Sequence, residues 1–265
     1  MINESDIERK NNDLSIEKRV EDLLSKMDLE EKARQMKFVD EFKPSGEKFC
    51  KGIGFIRQRK TDPSRTTKEY NKKQKWLIEN TRSGIPAIFL SEASHGFEGP
   101  RGTVFPIALG MGATWNSDLI HKVGEVMSKE TRAMGTQLVL SPLLGAVRDP
   151  RFARTEEEFG GSPYLVSNLG SSLIRGMQGE GYKIPENKII TTPKHYAAEP
   201  HTKAARNLFA RGPQMMSPVR RFEIALEPFR YAIENAGLSN VMATYAHWDG
   251  LYGHFDKRAL TDVRV

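Results

Sequence analysis

From residue 51 onward the chain alternates short apolar runs with longer amphipathic ones, and this alternation constrains the fold more than any other feature. The strand-like runs are GIGFIR (52–57), PAIFLSE (86–92), QLVLSP (137–142), IITTPKH (189–195) and VMATYA (241–246). Segments of helical character lie between them, at 67–82, 117–134, 163–177 and 218–236. Their ends carry helix punctuation. Ser162-Pro163 and Ser217-Pro218 read as an N-cap followed by a proline at the first helical position, and Gly135, Gly179 and Gly237 as C-terminal stops. A strand–helix–strand repeat whose strands are apolar throughout suits a parallel sheet covered on both faces. The chain therefore reads as α/β, either a barrel or a doubly wound sheet.

The chemistry at the strand ends separates these two. Arg57 follows the first run, Glu92 and His95 the second, and Arg148 and Arg154 the third; Lys194 and His195 close the fourth, Tyr245 and His247 the fifth. A (β/α)8 barrel builds its site from the carboxyl ends of its strands. A dinucleotide-binding sheet needs G-x-G-x-x-G after its first strand, whereas GIGF lacks the third glycine and leads into basic residues. The fold expected is a TIM (β/α)8-type barrel, incomplete at its C-terminal end, with about five of eight strands present. Such a barrel has two open edges, so self-association through them is expected.

Ahead of the repeat, residues 1–14 are polar and charged and read as a flexible tail, leaving 15–265 as one partial barrel domain. Ile16, Val20, Leu23, Leu24 and Met27 recur at helical spacing, and Asp28 with Glu31 offers a capping box to a second helix.

Composition narrows the function classes. Lys and Arg number 40 against 34 Asp and Glu, a net charge of +6, but the basic residues are dispersed and interleaved with acids. A nucleic-acid footprint would cluster them on one face, so no nucleic-acid partner is expected. No apolar run reaches the roughly 18 residues of a membrane span, and the start lacks a signal-peptide pattern. The location expected is cytoplasmic, or periplasmic or secreted if a leader has been removed. The single cysteine, Cys50, excludes an intrachain disulfide and a thiolate cluster. His201, His247 and His254 lack ligand spacing with an acidic partner, so neither a metal nor a cofactor is expected.

The order of the motifs carries more. LSEASHG, TVFPIALGMGATWN, SPLLGAVRDPRFARTEEEFGGSPYLV, IRGMQGE, TTPKHYAA, ARN and VMATYAHWDG…KRALTDV resemble, in that order, the N-terminal barrel domain of glycoside hydrolase family 3, which contains β-glucosidase- and β-xylosidase-like enzymes. The resemblance spans roughly residues 15–265, and RDPRFAR followed by PKH is its most specific part. It implies a retaining O-glycosyl hydrolase of carbohydrate metabolism acting on β-linked sugars, with a β-glucoside or β-xyloside as partner. It places sugar contacts at Glu92, at Arg154 (the last arginine of RDPRFAR), at Lys194 and His195, at Arg206 of the RN pair, and at Met242 and Tyr245. Those residue types suit a ring of vicinal hydroxyls. Arginine supplies planar paired donors, glutamate two acceptors and lysine a point charge. Trp248 and Phe152 could pack on an apolar sugar face, or belong to the core. His95 reads as a hydrogen-bond donor that holds its loop, and Arg148, Arg151 and Arg154 with the acids at 156–158 could instead form a structural ion-pair network.

A retaining glycosidase needs a nucleophile and an acid/base carboxylate about 5–5.5 Å apart. The resemblance places the nucleophile after the KRALTDV segment (257–263), beyond residue 265, and the acid/base in a later domain; no catalytic residue is assigned within the chain. The chain is thus expected to supply the glycone-binding half of the chemistry and to be inactive in isolation. The alternative is a non-catalytic sugar-binding or pseudoenzyme fragment. It is favoured by Gly145, Ala153 and Gly161-Ser162, where the family commonly has aspartate, glycine and an acidic pair, and by AAEPHTKAARN in place of a glycine-rich loop.

Overall fold

The computed structural model describes residues 13–44, 49–58, 62–150, 152–197, 213–214 and 217–262. The chain divides into two compact units, Met1–Leu90 with Met134–Thr136, and Ser91–Ala133 with Gln137–Val265. The tail expected at 1–14 lies almost wholly outside the described residues.

In the first unit, α1 (Ile16–Lys26) starts at Ser15, whose hydroxyl accepts from the Lys18 amide. The capping box predicted for α2 (Leu29–Gln35) forms in both directions: the Asp28 carboxylate accepts from the Glu31 amide at 2.8 Å, and Glu31 from the Asp28 amide at 2.9 Å. Glu31 is buried, and the Arg82 guanidinium neutralises it. Three short strands follow in parallel register: β1 (Phe38–Val39), β2 (Phe55–Arg57) and β3 (Ile88–Ser91). β1 is not evident from the sequence, because two residues cannot show an alternating pattern. α3 (Pro63–Asn80) begins at the Asp62 cap and connects β2 to β3. Phe42, Phe49, Ile53, Ile56, Tyr70, Leu77, Ala87 and Phe89 form the core of this unit, with Tyr70 stacked on Phe89 at 3.9 Å.

The second unit contains α4 (Ala108–Gly112), α5 (Ser117–Ala133), β4 (Leu138–Val139), α6 (Pro163–Gln178), β5 (Ile190–Thr191), β6 (Lys194–Tyr196), β7 (Pro213–Gln214) and α7 (Pro218–Arg220). A π-helical stretch (Arg221–Leu226) leads into α8 (Glu227–Ala236), followed by β8 (Met242–Ala243), β9 (His247–Trp248) and β10 (Leu251–Tyr252). β4 and β5 pair in parallel, as do β6 and β8 and, across the hairpin region, β7 and β9; β9 and β10 are antiparallel. The predicted Ser162 and Ser217 caps accept from the amides of Leu165 and Arg220, and Gly179 and Gly237 end α6 and α8 at positive φ.

The core of this unit centres on α6, from which Leu165, Val166, Leu169, Leu173, Ile174 and Met177 pack against Ile120, Val123 and Met127 of α5 and Phe229 of α8. Two glycines set how closely α5 and α6 approach. A Cβ on Gly176 would stand 2.2 Å from the His121 carbonyl oxygen, and one on Gly124 2.6 Å from that of Leu173.

Two differences from the sequence reading have physical causes. The ladder segments are shorter than the apolar runs because much of each run is buried with its backbone bonded elsewhere. Ile189, at the start of the IITTPKH run, donates to Met177 O of α6 and not to a strand. The single helix expected at 218–236 is divided. Pro228 has no N–H to continue the ladder, and the backbone preceding it widens into the π-helical stretch before α8 resumes.

Candidate functional site

The site is assembled within the second unit from the end of β3, the segment after β4, and β6. The turn leaving β3 is pinned on both sides: Leu140 N donates to Ser91 O at 3.0 Å, and Ser141 Oγ to Ala93 O at 2.9 Å. Glu92 lies between these points. Its carboxylate accepts from Lys194 Nζ at 2.9 Å. Lys194 is fixed through its backbone, its N–H donating to Pro142 O and its carbonyl accepting from Leu144 N, both at 3.0 Å. On the other side it stands in register with Met242 of β8. The lysine side chain is 6% exposed and the glutamate 31%, so the pair joins a buried cation to a half-wet anion.

Arg154 sits at the start of a 3-10 turn (Thr155–Glu157). Glu157 clamps it in two-pronged fashion, Nε to Oε1 at 2.8 Å and Nη2 to Oε2 at 2.6 Å. These bonds raise the Arg154 pKa further, against the opposing effect of burial. The remaining arm, Nη1, is 3.4 Å from His195 Nε2. An arginine N–H can only donate, so Nε2 accepts and the imidazole proton resides on Nδ1. Burial, with the Arg154 and Lys194 charges beside it, pulls the His195 pKa down to about 3, so the ring is neutral at physiological pH.

Glu158, next in the chain, is buried with its carboxyl accepting from Gly145 N at 2.8 Å. Burial pushes its pKa well above the carboxylate range, although Gly145, Arg154 and Lys194 all act in the opposite direction.

A cavity of 370 Å³ opens over these groups, lined by Glu92, Arg154 and Lys194 and also by Ser94, His95, Glu98, Ile107, Ala108, Glu156 and Glu157. His95 has the loop-holding role expected of it, with Nδ1 3.1 Å from Phe105 O, and it also faces the cavity. His195 adjoins the cavity through Arg154. Met242 is half-buried on β8, and Tyr245 is exposed with its ring centroid 6.4 Å from that of His195. Arg206 lies outside the described residues, as do Arg151 and His201.

The other candidates lie elsewhere. Arg57 pairs with Asp40 at 3.3 Å in the first unit, and Arg148 donates to Gly161 O at 3.1 Å. Phe152 and Trp248 are both buried and belong to the core. Among the described residues no cluster of histidine, cysteine and carboxylate side chains could hold a metal, and no helix is long and apolar enough to cross a membrane. Sequence reasoning did not single out Glu157 as the clamp on Arg154, although the spacing of three residues was visible. It gave no signal for the buried state of Glu158.

Residues 28–264 match the family model described as the glycosyl hydrolase family 3 N terminal domain. The chain belongs to glycosyl hydrolase family 3. Among the family's members, a β-xylosidase of Formosa agariphila is 35% identical over 69% of this chain and 26% of its own length. In structure, a β-glucosidase from Erythrobacter marinus superposes with a TM-score of 0.86 at 30% identity, covering 98% of this chain and 35% of that one. A β-glucosidase from Listeria innocua, solved as a D270A mutant in complex with laminaribiose, superposes at a TM-score of 0.79 and 26% identity, over 94% of this chain and 35% of its own. The chain thus spans about a third of the length of the family 3 relatives it matches.

Proposed function

We propose that this family 3 chain forms the glycone-binding part of a retaining β-glycosidase acting on β-glucosides or β-xylosides. One observation carries the reading: Glu92, Arg154 and Lys194, distant in sequence, converge on a single cavity with His195 held behind them. At 370 Å³ the cavity is near the lower end of the roughly 300–1,000 Å³ typical of ligand pockets, a size suited to one sugar ring rather than a long chain.

In this reading the buried ammonium of Lys194 donates to one hydroxyl while Glu92 accepts from its neighbour, and their mutual ion pair keeps both in place before the sugar arrives. Arg154, immobilised by Glu157, directs its remaining N–H groups at a further hydroxyl. The neutral His195 adds a hydrogen-bonding edge without a second buried charge. Such fixed donors act in the oxocarbenium-like transition state as well as in the ground state, provided their geometry suits the flattened ring. Met242, in register with Lys194, Tyr245, its ring centroid 6.4 Å from that of His195, and Arg206 complete the proposed contact set. The reacting carboxylates are assigned to the segment that follows KRALTDV in the family and to a later domain, with the parallel strands here forming part of a (β/α)8-type barrel. The relatives named β-glucosidase and β-xylosidase support the substrate class.

Calorimetry with glucose, xylose and a gluco-configured lactam tests the site. Binding that is lost in Arg154→Ala and Lys194→Ala, with the fold intact by circular dichroism, supports the reading; binding unchanged in both, or undetectable in the parent, refutes it. Gly145, Ala153 and Gly161 favour a second reading, sugar binding without hydrolysis. An in-frame S-D-W-like segment after KRALTDV in the coding sequence decides for hydrolysis, and a stop codon there decides for binding alone.

A further inference from the structure

Of the three consecutive glutamates, only Glu158 stays out of the cavity. It is 2% exposed, and among the described residues its carboxyl has one hydrogen-bond partner, the Gly145 amide, which donates to Oε2 at 2.8 Å. Two segments meet at this contact. Residues 145–148 and 158–161 run side by side, joined by Val147 N to Gly160 O at 3.0 Å and by Arg148 Nη1 to Gly161 O at 3.1 Å. A backbone carbonyl serves at Val147, whereas at Gly145 the acceptor is a side chain.

What lies beside each end gives the contact its meaning. Gly145 directly follows Leu143 and Leu144, both of which hold Lys194. Leu143 bridges to it in parallel register, and Leu144 N donates to its carbonyl at 3.0 Å. Glu158 directly follows Glu157, the two-pronged partner of Arg154. One carboxyl therefore joins the turn that aims Arg154 to the segment that holds Lys194. From this geometry we propose that Glu158 is a positioning residue of the sugar site, an uncharged acid whose bond to Gly145 N sets the spacing between the two cations. The inference rests on the glycone reading above.

The uncharged form follows from the surroundings. The charged groups that face Glu158 are Arg154 and Glu157 of its own turn and Lys194 of β6. Both cations are already paired, with Glu157 and Glu92 respectively. A buried carboxylate with one amide donor and no counter-ion of its own is strongly disfavoured, so the proton stays. Burial, reinforced by the Glu157 charge, accordingly raises the Glu158 pKa well above the carboxylate range. Neutrality also serves the site. A third carboxylate beside these two cations would draw both inward and compete with sugar hydroxyls for their N–H groups.

The test compares Glu158→Gln with Glu158→Met in the full 265-residue chain, with the fold checked by circular dichroism. Glutamine is uncharged and keeps an acceptor for Gly145 N, whereas methionine fills the same volume without one. In calorimetry with the gluco-configured lactam, Glu158→Met should bind about five- to tenfold more weakly than the parent, the value of one hydrogen bond, and Glu158→Gln within about twofold of it. Infrared spectra of the parent at about pH 7 should show a protonated-carboxyl C=O band that Glu158→Gln lacks. Should the methionine variant fail to fold, Glu158→Asp, whose carboxyl falls one methylene short of Gly145 N, replaces it with the same expected loss. Parent-like affinity without the acceptor, a glutamine variant as weak as the methionine one, or the absence of the infrared band overturns the positioning role alone. A parent that binds no lactam overturns the glycone reading and this role with it.

Discussion

Glu92→Gln and Lys194→Met each remove one charge from the same ion pair, but they should not cost the same. The ammonium is 6% exposed and the carboxylate 31%, with 2.9 Å between them. Glutamine in place of Glu92 leaves the buried cation without a counter-charge. Removing one partner of a fully buried pair costs about 3–5 kcal/mol, and the partial exposure on the Glu92 side, which admits water, reduces this to about 2–3 kcal/mol. Methionine in place of Lys194 leaves a carboxylate that can rehydrate, and its unbranched side chain fills the volume of the lysine stem, so the cost is about 0–1 kcal/mol. The double variant should resemble Lys194→Met alone, a coupling of about 2 kcal/mol.

Urea unfolding followed by fluorescence of Trp248, the buried tryptophan of the second unit, measures the difference. With a slope of about 2 kcal/mol per molar, Glu92→Gln should lower the midpoint by about 1 M and Lys194→Met by less than about 0.5 M. Both variants should lose sugar binding, so stability and affinity separate. A Lys194→Met variant that is destabilised as much as Glu92→Gln would refute the reasoning, because it would mean the lysine stabilises the fold by more than the partner it shields.

His195 falls from its ordinary 6.5 to about 3, so it is neutral when folded and charges first in the unfolded chain. Its contribution is fully present above pH 6.5 and is lost as pH falls toward about 3. His195→Gln should therefore blunt acid destabilisation in that window, and the His195 ring signals in NMR should stay constant from about pH 8 to about pH 4. Glu158 has the opposite sign. Its folded pKa lies well above the ordinary 4.5, so stability is full below that value and declines as pH rises toward the folded pKa. Glu158→Gln retains an acceptor for Gly145 N and should flatten the decline in melting temperature with pH; an unchanged slope counts against a protonated Glu158. Gly176→Ala should cost about 1–3 kcal/mol by forcing α5 and α6 apart, read as a lower unfolding midpoint, with no change in sugar affinity.

What the sequence showed and what it concealed divide along physical lines. The caps at Asp28, Ser162 and Ser217 and the stops at Gly179 and Gly237 were legible because they depend on neighbours within a few residues. The meeting of Glu92 and Lys194 at one cavity was legible because the ends of parallel strands gather polar side chains. Strand lengths were not, since an apolar run reports burial and not ladder bonds; within IITTPKH only Ile190–Thr191 and Lys194 onward pair as strands. The break in the last long helix was present in the sequence as Pro228 but outweighed by the periodicity around it. Core and site roles of aromatic residues were also hard to separate, because Phe152 and Trp248 satisfy the same pattern whether they meet a sugar or the interior.

The three acids at 156–158 show most plainly why composition does not reveal role. They are chemically identical and consecutive, yet Glu156 lines the cavity, Glu157 clamps Arg154, and Glu158 is buried with its carboxyl on Gly145 N. The 3-10 geometry of the turn accounts for the division. With about three residues per turn, successive side chains point about 120° apart, and residues three apart eclipse one another. Glu157 therefore stands directly over Arg154, while its two neighbours point elsewhere, one to the open cavity and the other into the core. The same spacing closes a two-pronged clamp in the first turn of α8, where Arg230 donates to Glu227 through Nε at 2.8 Å and Nη2 at 2.7 Å, so the spacing of three residues sets the pairing in either winding. The fixed direction of the Arg154 donors, and with it the shape of the cavity wall, thus follows from the spacing of three residues between arginine and glutamate.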